Sequence, residues 1–589
     1  MQTKNTCPGP DGIPFQAWRK LHVHGAPIIQ GVVASLAAGN LPPPGYNNGL
    51  LFLVPKDGTL MPTGTRPISV GNSDNRIGAQ AVVVSITGAV YDSLHESQKG
   101  FISGRVFEDH IRELNEDFYD AVESDEGGPN YFVLFMDTAK AFDSIDHDFI
   151  IEAIKRSGLP RWLQLLVQGL LHDVAVKPSF RGADPIWIRI LRGVKQGCPL
   201  SPILFVICYD VLLCRIAALK NTTPRACADD LAVGTTDFMR PWPVMSLVDL
   251  FRAASGLGVN EGKTKILMAK PVDLKSHIAS CPWPRVAVTD AYKYLGILIG
   301  RYVTTMDVYA KALAGLVDRA VRFAPAFLVL SHTHRVLAYN VYIITKISYI
   351  VKFFHIPFTE RALSCVEGVI QHTARNLIIR SHTAYKYFHL VGPKGIVSPC
   401  PPTRDPWAIS ISTLAAQADL SEWEGVTVVL RDEELTNSLK ISNHIRAAAQ
   451  DYVAYALGEL PANTPFQASL HTKDSPTAQR QHMYALLIHA GYRDDVDADL
   501  QEKLERRQLT HCADLVHVLH ANFALLPATL PPHYRTVQFD LLMNALMTDR
   551  RKRRFGPADE PTPTPQQTHP CYICGVGQDD YRHLFGGEC

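Results

Sequence analysis

The sequence predicts an α+β chain, because its first 300 residues carry short apolar strand runs that end on carboxylates and helical periodicity takes over from about Met306. The sharpest strand signal is Arg225-Ala226-Cys227-Ala228-Asp229-Asp230-Leu231-Ala232-Val233, two adjacent acids between small and apolar residues. Such flanks read as two buried strands meeting at an Asp-Asp turn. A second signal is Tyr131-Phe132-Val133-Leu134-Phe135-Met136, a continuous apolar run that stops at Asp137.

Adjacent carboxylates in an apolar setting repel each other and lose hydration, so they are costly to ionise without a cation between them. If the strand ending at Asp137 lies beside the Asp229-Asp230 hairpin, three carboxylates converge. That donor set suits two Mg²⁺ ions used in phosphoryl or nucleotidyl transfer. The alternative for a lone Asp-Asp pair is an ordinary solvated turn.

At 589 residues and 46% hydrophobic content the chain is long enough for several cores. A net charge of +1 excludes no partner, but the charge is unevenly placed. Residues 301–400 hold 12 Lys and Arg against 4 Asp and Glu, and residues 401–500 hold 7 against 14. The basic block is a candidate phosphate-backbone surface, with a scattered solvated face as the alternative. Cysteines spread singly through apolar segments, as at Cys208, Cys214 and Cys365, fit reduced core residues in an intracellular protein. No secretory h-region opens the sequence, and its longest apolar runs are interrupted by charges, so no membrane span is expected.

Taken in order, residues 7–18 are turn-rich and lead into an amphipathic helix that fades at Leu41-Pro42-Pro43-Pro44-Gly45. Leu50–Pro55 reads as a strand, followed by the polar tip Lys56-Asp57-Gly58 and the extended piece Arg66–Val70. Lys56 and Arg66 on such a hairpin could neutralise a triphosphate; either could equally be surface charge. Phe142 stands five residues past Asp137, where its ring could lie under a nucleotide sugar and collide with a 2′-hydroxyl, or serve the core. In the loop Arg192–Pro202, Gly193 and Gly197 permit close backbone approach, Gln196 offers an amide to a base or sugar, and Ser201 and Pro202 fit the N-cap and N1 of a buried helix. Lys263 could stabilise a leaving pyrophosphate or be simply solvated. Tyr292–Leu298 reads as one short strand with a glycine bend. Beyond it, Val308, Leu313, Leu316, Val317 and Val321 fall on one helical face, and the pattern stays mostly helical through Arg380.

A Pro- and Gly-rich run between Val391 and Pro406 suggests a linker, residues 407–548 read as acidic helices, and Arg550–Arg554 is a dense cationic run suited to phosphate contact or nuclear import, or to a solvated tail. A proline-threonine linker follows to Pro570. Cys571, Cys574, His583 and Cys589 then have the count and chemistry of one structural Zn²⁺ site, with His569 able to substitute for the terminal Cys589.

These pieces, in this order, resemble the reverse transcriptases of non-LTR retrotransposons. The likeness rests on Gly9–Pro14, Val54-Pro55-Lys56, Arg66-Pro67-Ile68, Gln98–Arg105, Asp137–Asp143, Gly193–Pro202, Asp229-Asp230, Asn260–Thr264 and Tyr294-Leu295-Gly296. The resemblance implies a right-hand polymerase with fingers, a split βαβ palm and a helical thumb. Its expected layout is fingers and palm over 1–300, a basic thumb-like region over 301–395, a helical region over 396–549, a basic run and linker over 550–570, and a zinc knuckle over 571–589. It implies RNA-directed DNA synthesis with Asp137, Asp229 and Asp230 holding two Mg²⁺ ions, Lys56 and Arg66 on the triphosphate, Phe142 excluding ribose, Gln196 at the templating pair and Lys263 near the pyrophosphate. The implied partners are an RNA template, a DNA primer or target DNA and dNTPs, in an intracellular, nuclear setting. Cys227 departs from the Tyr or Phe usual in the family. No endonuclease is recognised, so part of an element or a derived reading frame is expected. A catalytically silent RNA-binding scaffold of the same fold is the alternative.

Overall fold

The computed structural model describes residues 7–355 apart from 57–63, 126–127, 129, 139, 180–185, 238, 240, 273–280 and 331; further on it describes 373, 406–415, 417, 439–452, 480–481 and 483. The chain forms two compact units, Met1–Val303 and Thr304–Cys589.

The first unit begins with helices α1 (Phe15–Lys20) and α2 (His22–Ala37), then the hairpin of β1 (Gly49–Pro55) and β2 (Thr65–Gly71). Helices α3 (Ser73–Ser93) and α4 (Glu108–Glu123) lead to strand β3 (Phe132–Asp137). There follow α5 (Ala141–Ser144), α6 (His147–Arg156), α7 (Arg161–Leu171), β4 (Ala175–Pro178), β5 (Ile188–Arg189) and α8 (Ser201–Ala217). The hairpin β6 (Thr222–Cys227) and β7 (Asp230–Thr235), helix α9 (Pro241–Ser255), β8 (Lys265–Met268) and β9 (Ala287–Thr289) complete the central layer. A last hairpin, β10 (Ala291–Tyr294) and β11 (Ile297–Gly300), closes the unit.

Five strands form the main sheet in the order β6-β7-β3-β8-β9, with β3 antiparallel to both β7 and β8. The path β3–helices–β6–β7–α9–β8 is a split βαβ arrangement, which leaves β3 in the middle with both faces covered. That is why Phe132–Met136 reads as an unbroken apolar run instead of alternating: every one of those side chains is buried. Alternate residues serve different layers. Phe132, Leu134, Met136, Leu231, Val233, Ile266 and Met268 face the core built with α6, α8 and α9. On the opposite face, Phe135 stacks on Tyr292 at 4.2 Å and lies tilted against Tyr294 at 5.4 Å. A second sheet, β2-β1-β4-β5, is built on the β1–β2 hairpin.

Helix α8 is apolar nearly all round and buried accordingly. It starts one residue earlier than expected: Ser201 is already helical, Leu200 takes the cap position, and Pro202 sits in the first turn, where its missing N–H costs nothing. Tyr292–Leu298 is likewise not one bent strand. Leu295 and Gly296 both take positive φ, +43° and +94°, and reverse the chain into a hairpin.

In the second unit, α10 (Thr305–Val329) opens on a capping box in which Thr304 and Asp307 satisfy each other's backbone N–H. Val308, Leu313 and Leu316 are buried as expected, but Val317 and Val321 are exposed, because the buried stripe runs on through Ala320 and Phe327. Helix α11 (His332–Ala338) passes into a π turn at Tyr339–Ile343 and 3₁₀ turns at Ile344–Lys346 and Ile350–Lys352. Helices α12 (Pro406–Ala415) and α13 (Ile441–Tyr452) pack together. The basic run 550–554 and the cysteines and histidine of the expected zinc site lie outside the described residues. No helix among the described residues is long and apolar enough to cross a membrane.

Candidate active site

Strand register brings the three acids together. Asp137 ends β3, Asp230 begins β7, and the two are direct cross-strand partners; Cys227 at the end of β6 pairs with Asp230 from the other side. Directly opposed residues share a face, so Asp137 and Asp230 project the same way. Ala228 and Asp229 form the two-residue loop between the strands, and Thr138 Oγ1 donates to the Asp229 carbonyl at 3.1 Å.

The electrostatics follow from that crowding. Burial, then the charges of Asp229 and Asp137, push the Asp230 carboxyl up to about 6, with Lys263 acting against them. Burial and Asp137 also raise Asp229, partly offset by its own backbone N–H and by Lys56. Burial, helped by Asp230 and Asp229, pushes the Cys227 thiol up to about 11, so it stays neutral. Where the resemblance leads one to expect an aromatic ring, this chain presents a small neutral thiol.

Two cations reach these acids. Lys263 Nζ pairs with Asp137 Oδ2 at 2.9 Å, and that hydrogen bond holds its ammonium above the ordinary lysine range. Lys56, just past β1, is near enough for its charge to lower both Asp229 and Asp143. Arg66 is exposed on β2 opposite Val54.

Phe142 is half-buried. Its ring stacks on Phe205 at 5.0 Å and meets Phe101 edge-on at 5.7 Å; Phe205 stacks in turn on Tyr209 at 5.4 Å. It is therefore the outer member of a row of rings whose inner end is core. The Arg192–Pro202 loop closes against this row. Val194 N–H donates to the Phe142 carbonyl at 2.7 Å, and Ser69 N–H to the Gln196 carbonyl at 2.7 Å. Neither Gly193 nor Gly197 leaves room for a Cβ, the first against Asp143 and the second against the Ser69 carbonyl. The close approach expected of these glycines is to the protein's own backbone. Gln196 differs from expectation in the same way: its amide donates to Asp143 Oδ1 at 3.0 Å.

The chemistry of the donors fits a divalent cation, since neighbouring carboxylates that raise one another's pKa gain most from added positive charge. Their arrangement is not a ready-made cage. Among the described residues no group of three or more His, Cys, Asp or Glu is disposed to hold a metal ion, and Lys263 is the cation on Asp137.

Sequence reasoning missed Gln98 as a site residue and Arg225 as a structural one. Gln98 is fully buried and bonded to Ala228, next to Asp229. Arg225 is 4% exposed and binds Asp117, Glu113 and the Tyr131 hydroxyl. A polar residue inside an apolar strand was the available signal for Arg225; Gln98 gave none.

The sheet and its acidic turn define a domain class, and comparison with known proteins gives it a family. Residues 54–299 match the family described as reverse transcriptase (RNA-dependent DNA polymerase) and form a domain of that kind. Within it, the similarity runs to the non-LTR retrotransposons. The chain is 30% identical over 276 residues to the Pol polyprotein of the R2 element of Popillia japonica, covering 44% of this chain and 37% of that protein. To the R2DM Pol polyprotein of Drosophila melanogaster it is 28% identical over 312 residues, 50% of this chain and 29% of that one. The chain thus spans about a third of the length of these relatives. Among solved structures, telomerase from Candida tropicalis in complex with a fragment of telomeric RNA aligns with a TM-score of 0.36 and 11% identity, over 80% of this chain and 68% of that one. That score is below the level of a shared fold.

Proposed function

We propose that this chain is an RNA-directed DNA polymerase that adds dNTPs to a primer 3′ end on an RNA template, as part of a retrotransposon. The observation that carries the proposal is the pairing of Asp137 with Asp230 across adjacent strands, with Asp229 in the turn beside them, inside the matched domain. Asp137, Asp229 and Asp230 would hold Mg²⁺, which when bound favours ionisation of the primer hydroxyl and neutralises charge on the departing pyrophosphate.

The chain's own side chains do the rest. Lys56 and Arg66, on the finger hairpin, neutralise the incoming triphosphate, Lys as a point charge and Arg by its forked donors. Phe142, braced by Phe205 and Phe101, cannot yield to a 2′-hydroxyl and so excludes ribose. Gln196 acts at the nascent pair indirectly, by fixing its loop to Asp143. Lys263 has a largely exposed side chain and can move from Asp137 to an oxygen of the leaving group. The proposed partners are the RNA template, a DNA primer or target DNA and dNTPs, in a nuclear setting. Cys571, Cys574, His583 and Cys589 are proposed to bind one structural Zn²⁺.

Primer extension by the full chain on primed RNA with Mg²⁺ and dNTPs tests the proposal. Extension is expected from the parental protein, and its loss is expected in Asp229→Ala. Equal extension by both would overturn the assignment. The second reading, a silent RNA-binding scaffold, is favoured by the Lys263 ammonium on Asp137; RNA binding without incorporation would decide for it.

A further inference from the structure

We infer that Gln98 is a positioning residue that holds the Ala228-Asp229 turn, and with it the Asp229 carboxylate, in place. The inference rests on the polymerase reading only for its consequence in catalysis; the clamp itself is a matter of geometry. Gln98 lies 130 residues from the turn and is 0% exposed. Its Oε1 accepts from Ala228 N–H at 2.9 Å and from Gly100 N–H at 2.9 Å, while Nε2 donates to the Ala228 carbonyl at 3.2 Å. Two N–H donors aimed at one amide atom fix that atom as oxygen, so the orientation of the side chain follows from the network. One amide therefore satisfies both backbone groups of the residue that precedes Asp229.

The turn needs such a hold. Ala228 has φ +58°, and of the two loop residues only the first is left-handed, a position that two-residue hairpins with this pattern reserve for glycine. An alanine there costs on the order of 1 kcal/mol and persists only when its surroundings over-determine it. The surroundings here are the segment 97–100. Ala226 N–H donates to the Ser97 carbonyl at 2.8 Å and Lys99 N–H to the Ala226 carbonyl at 2.9 Å, which lays the segment along β6. Gly100 lies so close to the Ala228 amide that a Cβ there would collide with it. The segment is itself anchored: Arg105 donates to the carbonyls of Tyr91, Leu94, His95 and Gln98 at 2.6–3.0 Å, and Asp210 Oδ1 accepts from His95 N–H at 2.8 Å. The hold passes from Arg105 to Gln98 to Ala228, and the carboxylate is the next residue.

The test is Gln98→Met, which keeps the length of the side chain and removes the amide. Hydrogen exchange, followed by mass spectrometry on the full chain, is expected to quicken about tenfold or more at Gly100 and Ala228, with Ala226 and the β7 amides still protected. In primer extension, kcat is expected to fall about a hundredfold, the cost of a misplaced group, while KM for dNTP and affinity for primed RNA stay within a factor of about three. Adding Ala228→Gly, which takes positive φ without strain, should restore part of kcat. If Gln98→Met does not fold, Gln98→Asn, one methylene too short to span both groups, carries the same test. Unchanged exchange at Ala228 overturns the clamp. Quickened exchange with unchanged kcat, or a loss confined to KM, overturns the positioning role. A parental protein that extends no primer sinks the polymerase reading instead, and the exchange experiment still decides the clamp.

Discussion

Two sites on strand β6 and its turn handle charge in opposite ways. Arg225 and Asp229 are four residues apart, both set among apolar neighbours. Arg225 is matched: burial works against its charge, but Tyr131 and Asp117 outweigh it and hold the guanidinium above its ordinary range. Tyr294, stacked in the layer over β3, donates its hydroxyl to the Arg225 carbonyl at 3.1 Å. The acids at the turn are left in surplus, three carboxylates against Lys263 and a distant Lys56, and two of them are pushed toward neutrality. A buried charge with all its partners in the chain serves the fold. One whose partners are missing marks where something from outside is to bind.

The largest expected effect tests the matched side. Arg225→Met strands Asp117 and Glu113 against an apolar side chain and should cost about 3–5 kcal/mol, read as a fall in the denaturant midpoint. A change under 1 kcal/mol, which is within the ordinary range for an exposed ion pair, would break the contrast. Next, Phe142→Val opens the outer ring of the row. Discrimination against rNTP over dNTP is expected to fall by about 10–100-fold, measured as a ratio of kcat/KM.

The smaller effects come from the surplus side. Asp230 ionises at about 6 in the fold against an ordinary 3.8, so the fold favours its protonated form. That contribution is fully present below the ordinary value and is lost as pH rises through about 6. Asp230→Asn should therefore stabilise the protein slightly at pH 7.5, by less than about 1 kcal/mol because the side chain reaches solvent, and not at all near pH 3. Equal Tm differences at the two pH values would remove the surplus-charge account. Mg²⁺ is expected to raise Tm at pH 7.5 in the parental protein, and EDTA to reverse the rise. Asp229→Ala should show less of it. Lys263→Met should shift stability least, by about 0–1 kcal/mol, since its pair with Asp137 is half in water.

Much of this was legible in the residues. A strand run that stops on Asp137 and a second that breaks at Asp229 are local patterns, and burial on both faces of β3 explains why the first shows no alternation. The helix of Ser201–Ala217 was legible for the same reason. Gln196 and the loop glycines were read for the right closeness and the wrong neighbour, because spacing reveals that a backbone must approach something without saying what. Val317 and Val321 were read as core from helical spacing, which fixes a stripe but not which edge of it is covered.

The sequence by itself determined the strand runs, the acids at their ends and the aromatic five residues past Asp137, since periodicity and residue chemistry act over a few neighbours. Only the tertiary structure decided that Asp137 faces Asp230, that Lys263 lies on Asp137, that Gln98 grips Ala228 and that Arg225 is fully matched. Each of those is a contact across roughly 90–130 residues of chain, set by sheet register and by how the segment 97–100 lies along β6, and no local pattern carries that information.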